Sequence, residues 1–143
     1  MTPESCPALL IQLLNEETPC AFGEYELCGK PVPAGAYFVT AAAERVQYQA
    51  AMEYRNGLAV PFSLTLRIRQ HCRTDIPADT LLVRLHAEII PAISRMDMNI
   101  IKQEQGDIHF DKTLARFVLE THITAEGLII RLPDGEEGES HAG

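Results

Sequence analysis

The sequence lacks most of the features that announce a function. No run approaches the roughly 18 consecutive apolar residues of a membrane-spanning helix. The N-terminus, MTPESCPALL, has no basic stretch ahead of its apolar residues, so no secretory leader is expected and the default compartment is the cytoplasm. There is no GxSxG, and with it no strained turn presenting a nucleophilic serine. There is no GxGxxG or GxxxxGK, and with it no glycine-rich cradle for phosphates. The nearest candidate, AFGEYELCGKPVPAG, leads into a strand rather than a helix. No CxxC occurs and no internal repeat is visible.

The cysteines are few and irregularly placed, at positions 6, 20, 28 and 72. They read as reduced, partly buried thiols of a cytosolic chain. Cys20 and Cys28 bracket AFGEYEL and are the one pair placed to close a disulfide across a loop. A zinc site from Cys20, Cys28, His71 and Cys72 is set aside, because adjacent His-Cys ligands do not match structural zinc spacings. A Cys72–His71 catalytic pair fails for another reason: neighbours on a strand point to opposite faces. Asp107, His109 and Asp111 alternate in GDIHFD and would share a strand face, an array open to a metal but more often a solvated turn. His86 beside an apolar helix stripe reads as structural. His122, flanked on its face by Glu120 and Thr124, reads as half-exposed. The expectation is therefore no catalytic residue, no cofactor, no metal, and no enzyme.

Cations are also scarce. The net charge of −8 argues against sequence-independent binding to nucleic acid, which needs a basic surface. Half of that charge lies in PDGEEGESHAG, which carries Asp134, Glu136, Glu137 and Glu139 and no lysine or arginine. Residues 133–143 are expected to be a disordered acidic tail, and residues 1–132 a single domain. A chain of 143 residues with 46% hydrophobic and 22% charged residues is ordinary globular material. At this size folding buries about 70% of the unfolded chain's surface, so the core needs no staples.

What is present is a pattern of elements. Thr2-Pro3 opens a helix whose Leu9, Leu10, Leu13 and Leu14 recur at helical spacing, ending near Asn15. The Gly-, Pro- and Cys-rich stretch to Gly35 reads as loop, with one short strand around Tyr25 to Leu27. AYFVTAA and RVQYQAAMEY read as strands, the second placing Val46, Tyr48, Met52 and Tyr54 on one face. Asn56-Gly57 is a type I′ hairpin signal. The return strand alternates Phe62, Leu64, Leu66 and Ile68 against Ser63, Thr65, Arg67 and Arg69. Pro61 withdraws one ladder donor and belongs at an edge or bulge. A second helix follows, with Pro77 and Asp79 at its start and a stripe of Leu81, Leu82, Leu85, Ile89 and Ile93, which Pro91 kinks or stops. MNIIKQEQ, GDIHFDK, TLARFVLETHITAE and LIIRL supply further extended segments. The fold class is α+β: an antiparallel sheet with a long hairpin and two helices packed on one face. The other face is polar and free to meet water or a neighbour.

The order of segments carries a family likeness. A leucine-rich helix (PALLIQLLNEE) precedes a loop and a long strand pair (VQYQAAMEYRNGLAVPFSLTLRI). A helix (ADTLLVRLHAEIIPAIS) and a closing strand–loop–strand (MNIIKQEQGDIHFDKTLARFVLETHIT) follow. This layout, over roughly residues 5 to 125, resembles the phage tail terminator proteins, the lambda-type terminators and related prophage tail proteins. The loop with Cys20 and Cys28 and the acidic tail depart from it. The resemblance implies assembly rather than catalysis: a homo-oligomeric ring, typically a hexamer, that caps the tail tube and joins it to head or neck connector proteins. It implies residence in the host cytoplasm during assembly and then in the tail or neck of the virion, with no membrane partner and no specific nucleic-acid binding, DNA passing through the channel. On that reading Arg55, Arg67 and Arg69 are candidates for the subunit interface, opposite Glu44 or Glu53 of a neighbour. The bland alternative is a solvated face. Two rival classes remain: a small α+β ligand-binding protein or enzyme with a pocket between sheet and helices, and an adaptor with an apolar groove.

Overall fold

A computed structural model describes residues 2–17, 20–27 and 35–132. Residues 1, 18–19, 28–34 and 133–143 lie outside it, and with them Cys28, its pairing with Cys20, and the acidic tail.

The chain opens with a capped turn, Pro3–Ser5, in which the Thr2 N–H donates to Ser5 Oγ at 3.2 Å. It runs into helix α1 (Cys6–Glu17), two residues longer than its leucine spacing predicts. Asn15 holds the exit: its Oδ1 accepts from the N–H groups of Cys20 (2.9 Å) and Ala21 (2.8 Å), and its Nδ2 donates to the Ala21 carbonyl (2.9 Å). That clamp starts β1 (Ala21–Gly23). The short strand expected around Tyr25 to Leu27 is thus displaced, and Glu24–Leu27 forms a helical turn, α2.

Six further strands follow: β2 (Tyr37–Tyr48), β3 (Met52–Tyr54), β4 (Gly57–Arg73), β5 (Asn99–Gln105), β6 (His109–Asp111) and β7 (Arg116–Arg131). The sheet order is β1-β2-β4-β7-β5, with β3 beside the far end of β4 and β6 beside β7. Every pairing is antiparallel except β1 with β2, so the sheet is mixed. The expected long hairpin is there, with three differences of backbone detail. Its strand is interrupted at 49–51, so Tyr48 pairs with Phe62 and Met52 with Ala59, which places them on opposite faces. The two-residue turn is Arg55-Asn56, both at positive φ (49° and 65°), rather than Asn56-Gly57. Gly57 serves a different need: a Cβ there would lie 2.0 Å from the Arg131 carbonyl oxygen. Pro61 sits in the interior strand β4, where its β2 neighbour stops pairing, and its carbonyl accepts from the Gln49 N–H at 2.9 Å.

β7 joins TLARFVLETHITAE from Arg116 onwards, after a turn with Ala115 at positive φ, to LIIRL as far as Arg131 in one strand. Gly127 permits this, because it faces Phe62 and leaves room for the ring; a Cβ would come within 2.5 Å of Phe62 Cζ. Phe62 is 1% exposed and has nowhere to retreat. Gly127→Ala is expected to cost about 1–3 kcal/mol by overpacking, read as a lower urea midpoint at unchanged m-value.

The second helix comprises α3 (Thr80–Arg84), one wide turn over Leu85–Ile89, and α4 (Ile90–Ser94). The Pro91 ring would strike the carbonyl four residues back in a regular helix. Instead the Ile90 N–H reaches the Leu85 carbonyl, five residues back, and the helix passes the proline without stopping. Leu81, Leu85, Ile89 and Ile93 from this helix and Leu10 from α1 pack on Leu64, Leu66, Ile68, Leu119 and Ile123 of the sheet. All are fully buried or within 1% of it. Among the described residues the opposite face of the sheet carries neither long helix, and only the short turn α2 reaches it, through Glu24.

Candidate functional site

The face of the sheet away from the two long helices is where the polar residues gather, open around His122 but buried at Phe38, Thr40, His71 and Val118, and register dictates their rows. One row runs Arg45, Thr65, Thr124, Lys102 across β2, β4, β7 and β5; the next holds Ala42, Arg67, His122 and Glu104; the next, Thr40, Arg69 and Glu120. At the far end Phe38, His71, Val118 and His109 align. Alternation puts every second residue of β4 and β7 here, and the strong bias of one face to Leu and Ile leaves the other to Arg, Glu, His and Thr.

Two bulges shape the face. Between Ala43 and Arg45 of β2 the register slips by one residue, so Glu44 is the extra residue opposite β4. Between Ile100 and Lys102 of β5 the same happens at Ile101. With its ladder position removed, Glu44 turns its carboxylate across the face to His122 Nδ1 at 2.5 Å. His122 Nε2 lies 2.9 Å from Glu120 Oε2, and Glu120 Oε1 accepts from Arg69 Nε at 2.6 Å. Arg69 Nη1 is 3.7 Å from Glu24, whose carboxylate takes a bidentate pair from Arg67 (3.1 and 2.5 Å). The result is one continuous chain, Glu44–His122–Glu120–Arg69–Glu24–Arg67, linking β2, β7, β4 and α2. The Thr65 and Thr124 hydroxyls meet at 3.1 Å beside it. An open hollow of 420 Å³ lies above, lined by Glu44, Arg45, Thr65, Lys102, Glu104, His122 and Thr124.

The electrostatics follow from these contacts. The hydrogen bond to Glu120, joined by Glu44, raises the His122 pKa above its ordinary value against an opposing effect of burial. The hydrogen bonds from His122 and Arg69 lower that of Glu120. His71 behaves in the opposite way. It is stacked on Phe38 with ring centroids 4.3 Å apart, is 6% exposed, and burial with the nearby Arg69 and Arg116 pushes its pKa down to about 4.

The interface candidates divide. Arg67, Arg69 and Glu44 come together on the open face and are engaged within the chain by Glu24, Glu120 and His122. Glu53 and Arg55 lie at the hairpin tip, Glu53 opposite Leu58 and the Arg55 guanidinium 5.2 Å over the Tyr54 ring. Asp111 caps its own turn, accepting from the Leu114 N–H at 2.9 Å, and His109 faces the Asp107 backbone carbonyl. Among the described residues no group of three or more His, Cys, Asp or Glu side chains is arranged for a metal. Burial raises the pKa of Cys20 and Cys72, and pushes that of Cys6 up to about 11, which makes them poor nucleophiles.

The Glu120–His122 contact was legible as two residues on one strand face. Glu24 was not, because it sits in a stretch that carries only loop signals.

Compared with models of known protein families and with the curated proteins, the chain matches none. Among the described residues no helix is long and apolar enough to cross a membrane. Fold and face geometry therefore carry the functional reading.

Proposed function

We propose that the chain is a structural assembly protein of a phage tail or tail-like particle, a terminator whose ring of identical subunits caps the tail tube and joins it to the head or neck. One observation carries this: among the described residues the sheet has two different free edges. Along its outer side β2 is paired by β1 only from Val39 to Ala41, and no described strand covers Ala42 to Tyr48. At the other side β5 is the last strand, exposed over nearly its whole length. Free edges present unpaired N–H and C=O groups to another chain. Two unlike edges on one subunit give the heterologous contact that a cyclic ring needs. β2 and β5 run antiparallel within the sheet, so β5 of one copy can continue onto β2 of the next in the same sense.

The charges fit this reading. Arg67, Arg69 and Glu44 meet the neighbour already neutralised in pairs, which limits the desolvation cost of covering them. Arg55 and Glu53 at the hairpin tip are exposed charges that set register with the next subunit or the tube. A net negative chain around a channel lets DNA pass without adhering.

The test is electron microscopy of the purified protein with and without tail tubes of the parent particle. Closed rings, seated at one end of each tube in the mixture, are expected. Tubes with bare ends and no rings at any concentration would remove this reading and favour a ligand screen against the hollows.

A further inference from the structure

We propose that His122 is a proton-operated clasp that fastens the bulged edge of β2 to the sheet when protonated and releases it when neutral. Donor count decides which contacts the ring can make. An imidazolium has two N–H groups, and a neutral imidazole has one. Here both ring nitrogens face carboxylates, Nδ1 at 2.5 Å from Glu44 and Nε2 at 2.9 Å from Glu120. Carboxylates only accept, so the two contacts coexist only while the ring carries both protons. Loss of one proton leaves a lone pair facing a carboxylate, and one contact breaks.

Glu44 is the one released. Glu120 sits two residues from His122 on the same strand and is also held by Arg69 at 2.6 Å. Glu44 has no second ion pair among the described residues. It stands at the bulge where the β2–β4 ladder has lost a position, and no described strand covers the outer side of β2 beyond Ala41. Beyond the ladder to β4, the far end of this segment is held by the Tyr48 hydroxyl, which donates to Glu4, and by Val46 packed on the core, so the clasp is what fastens its bulged start at Glu44 and Arg45.

Charged groups surround the histidine from every side. β2 contributes Glu44 and Arg45, β4 contributes Arg67 and Arg69, and β5 contributes Lys102 and Glu104. Glu120 lies on its own strand, and Glu24 of α2 engages both β4 arginines. Lys102 is paired with Glu104 at 2.6 Å. The arginines being occupied by Glu24 and Glu120, the two contacting carboxylates dominate the field at the ring, in line with a protonated state that persists to higher pH than usual.

The experiment combines side-chain ¹⁵N NMR of His122 with amide hydrogen exchange of Arg45 to Tyr48, corrected for intrinsic rates, in the wild type and in Glu44→Gln. Wild-type protection at Arg45 to Tyr48 should fall severalfold as the pH rises from 6.5 through the His122 titration, tracking that titration. In Glu44→Gln the titration should move to lower pH and the exchange step should vanish. Protection that ignores the His122 titration in the wild type, or a titration unmoved by Glu44→Gln, overturns the clasp. Neither readout depends on ring formation.

Discussion

Leu66→Ala should lower the unfolding free energy by about 3–4 kcal/mol, while Arg67→Ala, one residue along, should cost about 1 kcal/mol. The contrast follows from the two faces of β4. Leu66 is fully buried among the core side chains beneath the two helices. Its truncation loses the transfer energy of three carbons and leaves a cavity that the close-packed interior only partly fills. Arg67 lies on the uncovered face, about a third exposed, and its bidentate pair with Glu24 competes with water. Urea unfolding of both variants reads the difference directly. Equal costs would mean that the polar face is covered in solution.

Acid should destabilise the protein through His71 before the carboxylates titrate fully. Its folded pKa, about 4, lies below the ordinary value of 6.5, so the neutral ring is the form that the fold accepts. Stability from this group is complete above pH 6.5 and declines as pH falls towards 4, by about 3 kcal/mol in all. His71→Phe keeps a ring to stack on Phe38 and removes the proton site, so its stability should stay flatter across that window. His122 has the opposite sign. Its raised pKa contributes fully below 6.5 and is lost as pH rises through the folded value. Two histidines on one sheet face thus act in separate windows, His71 below pH 6.5 and His122 above it, and His71→Phe should flatten only the first. A wild-type profile flat between pH 6.5 and 4 would contradict the neutral, buried state of His71.

Much of this architecture was legible in the residues. β4 announces itself because Phe62, Leu64, Leu66 and Ile68 alternate with Ser63, Thr65, Arg67 and Arg69, and a strand covered on one face only must alternate so. The stripe from Leu81 to Ile93 is equally plain, since a helix packed on a sheet buries one side. What was hidden lies in the backbone. The bulge at Glu44 and the break at 49–51 each change which face a side chain occupies, yet neither carries a glycine or proline to mark it. Gly57 reads as a turn signal, whereas it serves a close approach to the Arg131 carbonyl, as Gly127 does to the Phe62 ring. β1 has only three residues and pairs in parallel with β2, too little for periodicity to register. The ion chain was half visible: Glu120 and His122 share a face by spacing, but Glu44 arrives through the bulge and Glu24 through a turn in loop-like sequence.

The proposed ring closes through the two unlike edges that the described strands leave free. The most direct measurement is the mass of the purified protein by light scattering after size exclusion, over a dilution series. A ring closed by those edges should appear as a hexamer-sized species at high concentration that dissociates towards monomer on dilution. A monomer or a compact dimer at every concentration would contradict it.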